Sequence, residues 1–136
     1  MSRMNGVHLT ADLQGCTPGN PLLRDPQALR AVCLHAVGEA GLQAVGELFH
    51  RFPEPGGVTG TVLLAESHLA VHTWPEHGVV TVDAFVCNLS RDNSARAERL
   101  VDQLVAHFGA TGVLRQRLTR VGPGAPPPGA LPHPRA

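Results

Sequence analysis

Ala65-Glu66-Ser67-His68-Leu69-Ala70-Val71-His72-Thr73-Trp74-Pro75-Glu76 holds the chain's one tryptophan together with two histidines, two glutamates and a serine. A strand that only fills a core has no need of that mixture. The run is bounded by Pro75 to Gly78, which reads as a turn, and a second run, Val79 to Cys87, follows at once. In the second run Val80, Val82, Ala84 and Val86 fall on one strand face, and Thr81, Asp83, Phe85 and Cys87 on the other. Two adjacent strands carrying a reaction centre are therefore expected, with Cys87 on the face that does not pack.

Outward from this pair, Val58 to Ala65 is a strand rich in Val, Thr and Leu, preceded by the loop Pro53-Glu54-Pro55-Gly56-Gly57. Leu42 to Phe52 is strand-like toward its end, and Val7 to Leu13 alternates loosely as a first strand. Gly15 to Asn20 is loop. Asp25-Pro26 opens a helix with an acidic cap and a proline at the first position. Leu29, Val32, Cys33, Ala36, Val37 and Ala40 follow at helical spacing, and Gly41 stops it. Cys33 on that stripe reads as a buried filler. Asn93 or Ser94 caps a second helix whose stripe is Ala97, Leu100, Val101, Leu104, Val105 and Phe108, with Gly109 as its end. Thr111 to Arg120 supplies a last strand. Short links between the middle strands favour antiparallel pairing, and two amphipathic helices can cover one face. The fold class is α+β, a two-layer sandwich with a mainly antiparallel sheet. Residues 1–121 make one domain, and the Pro/Gly-rich tail 122–136 has too little apolar content to pack and reads as disordered.

The 136 residues carry no formal net charge, which offers no electrostatic case for nucleic acid or an acidic membrane. Every basic residue is arginine, so lysine Schiff-base chemistry and the lysine of a P-loop are excluded. Three scattered cysteines do not suggest a disulfide scaffold, and neither a signal-peptide profile nor a membrane-length apolar run is present, so a cytoplasmic location is expected. His68 and His72 lie about 13 Å apart on a strand, whereas zinc holds each nitrogen within about 2.1 Å; no metal site is expected. Ser67 is not in a G-x-S-x-G elbow, which disfavours a hydrolase. From residue types alone, Ser67, His68 and His72 could equally be polar strand residues satisfied at the surface.

The run Glu66 to Glu76 resembles the signature of prokaryotic S-adenosylmethionine decarboxylases, small pyruvoyl enzymes of polyamine synthesis. Phe49-His50-Arg51-Phe52 and Val58-Thr59-Gly60 resemble the family's preceding segment, Val82 to Cys87 its following strand, and His8-Leu9 fits its opening strand. The resemblance implies that the chain cuts itself between Glu66 and Ser67 into residues 1–66 and 67–136. Ser67 attacks the preceding carbonyl, and elimination then leaves a pyruvoyl group in its place as the cofactor. That carbonyl forms a Schiff base with the substrate amine and accepts the electrons freed as CO₂ departs. By position, His72 resembles the base for elimination, Cys87 the proton donor in turnover, and Thr59 a hydroxyl that assists processing. Phe52 matches an aromatic that stacks on adenine, and Glu76 an acid that binds the ribose hydroxyls. The implied substrate is S-adenosylmethionine, converted to the aminopropyl donor for spermidine. The implied assembly is a homodimer with its sites at the subunit interface.

Three positions depart from the family pattern. Thr59 stands where serine is frequent, His77 where an aromatic commonly follows W-P-E, and Asn88 where glycine follows the cysteine. Relatives that decarboxylate arginine or ornithine on the same scaffold are the nearest alternative, and Phe52 and Glu76 favour the nucleoside substrate over them. An unprocessed relative that binds a ligand or partner without catalysis is the other. Ser67 and His72 have opposite strand parity, so alternation alone does not bring them together; a twist, a break at Glu66–Ser67 or a contact across strands is required.

Overall fold

Alternation in the central runs becomes three consecutive antiparallel strands, β3 (Val58–Leu64), β4 (Ser67–Trp74) and β5 (Val79–Cys87). The structure is a computed structural model that describes residues 5–88 and 91–121; the expected disordered tail lies outside these residues. Val58, Val62 and Leu64, then Leu69 and Val71, then Val80, Val82, Ala84 and Val86 turn to one side and are buried. The helices cover that side. α1 (Pro26–Glu39) starts where Asp25 Oδ1 accepts hydrogen bonds from the N–H groups of Gln27 and Ala28. Its end is set by Gly41, whose φ of 80° is the left-handed conformation glycine adopts without steric cost. α2 (Ser94–Ala106) buries Ala97, Leu100, Val101 and Leu104. Each fully buried leucine contributes roughly 1.5–3 kcal/mol, and Leu29, Leu69, Leu100 and Leu104 all meet that condition. The expected α+β two-layer class, with both helices on one face, is what the chain adopts.

The remaining strands are β1 (Asn5–Gln14), β2 (Ala44–Arg51) and β6 (Gly112–Val121). Among the described residues the order is β2-β3-β4-β5-β1-β6, every neighbouring pair being antiparallel. The first strand thus lies between the fifth and sixth. A 3₁₀ helix, Pro21–Leu23, packs beneath α1 and had no clear signature in the sequence. Asn93 occupies the N-cap position of α2 but makes no side-chain cap there; Asp92 Oδ1 accepts from Ser94 N–H instead. Asn93 is used elsewhere.

Among the described residues the other face of the sheet carries no helix. Register lays its side chains in rows across the strands. One row is Leu63, His68, Phe85, His8 and Leu118; the next is Leu48, Thr61, Ala70, Asp83, Thr10 and Gln116; a third is His50, Thr59, His72, Thr81, Asp12 and Leu114. Leu48, Leu63, Leu114 and Leu118 are each at least half exposed. Among the described residues no helix is long and apolar enough to cross a membrane, and no cluster of three or more His, Cys, Asp or Glu side chains could hold a metal ion.

Candidate active site

Leu64 pairs with Ser67, which leaves Ala65 and Glu66 as a two-residue hairpin loop between β3 and β4. Glu66 has φ 56°, and it is the one non-glycine residue among those described with a positive φ. In that region the Cβ crowds the carbonyl oxygen, at a cost of about 1–2 kcal/mol. The strained residue therefore sits immediately before the serine that the motif singled out.

Ser67 is half-buried, and its Oγ accepts a hydrogen bond of 3.0 Å from the Cys87 N–H. Cys87 ends β5 and is buried, with 7% exposure. Asn93 Nδ2 donates to the Cys87 carbonyl at 3.0 Å, and the Asn93 N–H donates to Asn88 Oδ1 at 2.8 Å. Asn88, the departure from glycine, thus joins the end of β5 to the start of α2. Glu66, Ser67, Cys87, Arg91, Asn93 and Gln43 line a cavity of about 290 Å³. Arg91, Asn93 and Gln43 were not singled out as site residues by sequence reasoning, in which Asn93 reads only as a helix cap; they lie in connecting segments whose approach to Ser67 depends on the tertiary fold.

Thr59 and His72 form a second group. They are register partners on β3 and β4, and Thr59 Oγ1 lies 3.1 Å from His72 Nδ1, a hydrogen bond. Threonine in place of serine therefore keeps the contact. Both line another cavity, of about 260 Å³, together with Phe52, Trp74 and Glu76. The Phe52 ring is half exposed and meets His50 edge-on, with centroids 4.7 Å apart. A half-exposed aromatic ring and a carboxylate in one cavity suit a flat, hydroxyl-bearing ligand.

The sequence-nominated residues are thus brought together as two clusters. Ser67 and Cys87 meet, as do Thr59, His72, Phe52 and Glu76. The clusters do not meet within one chain, because His72 lies five positions after Ser67, roughly 16 Å along β4. Parity separates them further: Ser67 shares its side with buried Leu69 and Val71, while His72 lies on the open face. The expected contact across strands pairs His72 with Thr59 and Thr81 rather than with Ser67.

The other two cysteines are not candidates. Cys33 is fully buried in α1's packed stripe, as its spacing implied, and burial pushes its thiol up to about 12. Burial also raises the Cys16 thiol. Neither supplies a thiolate at neutral pH.

The family model for S-adenosylmethionine decarboxylase matches residues 7–121. A S-adenosylmethionine decarboxylase proenzyme of Prochlorococcus marinus is 37% identical over 133 residues, spanning 98% of this chain and 100% of its own. One from Hydrogenobaculum sp. is 35% identical over 113 residues, covering 83% of this chain and 79% of its own. The crystal structure of the adenosylmethionine decarboxylase of Aquifex aeolicus superposes with a TM-score of 0.77 at 31% identity, covering 88% of this chain and 92% of that one. Matches of this extent in both sequence and fold make the chain a member of the S-adenosylmethionine decarboxylase family.

Proposed function

We propose that the chain is a self-processing pyruvoyl enzyme that decarboxylates S-adenosylmethionine, and that each site is built from two copies of it. The observation that carries this reading is the division of the site residues into two internally bonded clusters at different levels of β4.

Processing starts from Ser67. Its Oγ attacks the Glu66 carbonyl carbon, the amide nitrogen leaves as an amine, and an ester replaces the peptide bond. A base then removes the Ser67 Cα proton and the Cβ–Oγ bond breaks. Residue 66 departs as a carboxylate, and addition of water with loss of ammonia leaves a pyruvoyl group at position 67. The base assigned to the proton is His72, held by Thr59. Ser67 fits the group on two counts: it faces a cavity rather than closed packing, and the Cys87 N–H already points at its oxygen. When formed, a pyruvoyl group supplies a ketone that takes up an α-amine and accepts the electron pair released with CO₂. Cys87 then returns a proton to the α-carbon. Phe52 stacks on the adenine and Glu76 accepts the ribose hydroxyls; a bare amino acid uses neither.

The open face supports a second copy as the missing half. Its four exposed leucines are suited to burial, and a two-fold axis near the Asp83 row reverses the strand direction of the second sheet. The level of Ser67 in one copy then lies opposite the level of His72 in the other. Cutting after Glu66 frees residue 67 from the hairpin turn and lets it swing to that face.

Two variants co-expressed in equal amounts test the whole reading. Ser67→Ala lacks the nucleophile and His72→Ala the base, so each alone remains uncut at 67. In mixed dimers the intact Ser67 meets the intact His72, and roughly half of the His72→Ala chains pair this way. These should be cut, by intact mass, with a pyruvoyl-blocked fragment starting at 67 and recovered CO₂ release from S-adenosylmethionine. Absence of cutting in the mixture, with the wild type cut normally, would refute the shared site. A wild type that stays whole would refute self-processing, and faster turnover of arginine or ornithine would refute the substrate.

A further inference from the structure

Thr73 lies between His72 and Trp74, yet its side chain points away from both, into the layer beneath the sheet. It is the one polar residue among those described that is buried, at 4% exposure. Its hydroxyl is used twice: Oγ1 accepts from the Val58 N–H at 2.8 Å and donates to the Leu23 carbonyl at 2.7 Å. These partners belong to the start of β3 and to the 3₁₀ helix. One hydroxyl thus joins three segments that regular sheet bonding does not join at this point.

The loop that ends at Val58 carries the stacking residue of the second cavity. Phe52 N–H donates to the Gly57 carbonyl at 2.8 Å, closing the loop on itself, and Gly56 N–H donates to the Pro53 carbonyl at 3.0 Å. The closed loop is pressed onto β4 at Thr73. A Cβ at Gly57 would sit 2.5 Å from the Thr73 carbonyl oxygen, so only glycine allows the approach. On its far side the loop is met by Arg24, whose Nε donates to the Pro55 carbonyl at 3.4 Å; Arg24 directly follows the 3₁₀ helix held by Thr73. Both flanks of the loop therefore depend on the same hydroxyl. Phe52, Pro53, Pro55 and Gly57 form one wall of the cavity, and Trp74 and Glu76 the other.

We propose that Thr73 is a positioning residue that sets the distance between these two walls, and so the affinity for the nucleoside part of the substrate. The proposal rests on the assignment of that cavity to the nucleoside. Thr73 is also among the residues lining the cavity, but its hydroxyl is spent on the Val58 N–H and the Leu23 carbonyl, so that group acts through the loop. Valine has nearly the same shape but leaves the Val58 N–H and Leu23 carbonyl unpaired, and such groups regain partners only by moving toward water. Loop displacement follows, with Phe52 carried along.

The test separates binding from chemistry. In uncut Ser67→Ala protein, binding of the nucleoside thioether 5′-methylthioadenosine is measured by calorimetry, with and without Thr73→Val. The expected loss is about tenfold, with restoration by Thr73→Ser. In cut enzyme, Thr73→Val should raise KM by a similar factor while kcat per pyruvoyl group stays within about twofold. A role in stability alone predicts a lower melting temperature with affinity and KM unchanged, and that result overturns the proposal. Should Thr73→Val not fold, Gly57→Ala disturbs the same contact from the loop side. It should weaken nucleoside binding too, and unaltered binding overturns the proposal equally. If Ser67→Ala protein with Thr73 intact binds no nucleoside, the fault lies instead with the assignment of the cavity.

Discussion

Relieving the backbone at Glu66 should slow self-cleavage. With φ at 56°, Glu66 holds about 1–2 kcal/mol of steric strain in a two-residue turn whose ends are pinned by the Leu64–Ser67 pair. An N-to-O shift inserts the Ser67 Cβ and Oγ into the chain path between the two residues, which loosens the turn and lets φ relax. Strain present in the peptide and reduced on the way to the ester lowers the barrier by up to its full value. At about 1.4 kcal/mol per tenfold in rate, the strain corresponds to roughly 5- to 30-fold. Glycine occupies this region freely, so Glu66→Gly should cut slower than Glu66→Ala by up to that factor, and Glu66→Asn should fall between them. Alanine is the proper reference because it removes the carboxylate and keeps the strain. The assay is cell-free synthesis followed by a time course of the uncut 14.4 kDa chain on a denaturing gel. In a Ser67→Ala background, where nothing can be cut, the glycine variant should also melt higher than the alanine variant. If glycine cuts as fast as alanine while melting higher, the strain exists but does not drive cleavage. Equal melting would mean that the turn relaxes without it.

Other substitutions separate the remaining roles. Cys87→Ser should still cut, but turnover per pyruvoyl group should fall more than tenfold, because a hydroxyl is a far weaker acid than a thiol; unchanged turnover on that measure would make Cys87 a packing residue. His72→Ala should stall at the ester, giving a chain that hydroxylamine splits and boiling in neutral buffer does not. Leu100→Ala, in the fully buried stripe of α2, should cost about 2–5 kcal/mol in denaturant unfolding and leave turnover per pyruvoyl unchanged. Cys33 gives a pH signature. Its thiol is raised from 9.0 to about 12 in the fold, so the unfolded chain loses its proton first. The Cys33 contribution should therefore be constant below about pH 9 and decline above it, by at most about 1.4 kcal/mol per pH unit; Cys33→Ala should flatten that decline.

Local chemistry was legible and long-range pairing was not. Asp25-Pro26 and Gly41 bracket α1 because caps and stops act within a few residues, and the structure uses both. The position of β1 between β5 and β6 has no local signal, since its partners are about 70 and 110 residues away along the chain. Thr73 shows the same limit at the level of a side chain. In sequence it is one more β-branched residue on an alternating strand. Its importance comes from Leu23, 50 positions earlier, which no pattern in the segment betrays. Asn93 reads as a helix cap and sits at the cap position, but its Nδ2 donates to the Cys87 carbonyl and its Oδ1 accepts from Arg96, so no N–H of the first turn donates to it.

The separation of Ser67 from His72 was legible too, though its meaning needed the fold. Opposite parity placed the two side chains on opposite faces of one strand, and the motif nevertheless asks them to act on the same bond. A twist within β4 would have answered this, but the strand keeps regular register with both neighbours from His68 to His72. A contact across strands would also have answered it, but the cross-strand neighbours of His72 are Thr59 and Thr81. On the proposed roles, what remains is a contact supplied from outside the chain. The face that carries His72 also carries the exposed leucines, so the surface most in need of a cover is the one on which the site is incomplete. The second copy proposed above would meet both needs at once, because a two-fold axis would supply each half site with the half it lacks. A heterologous partner would have to reproduce the Ser67–Cys87 cluster independently.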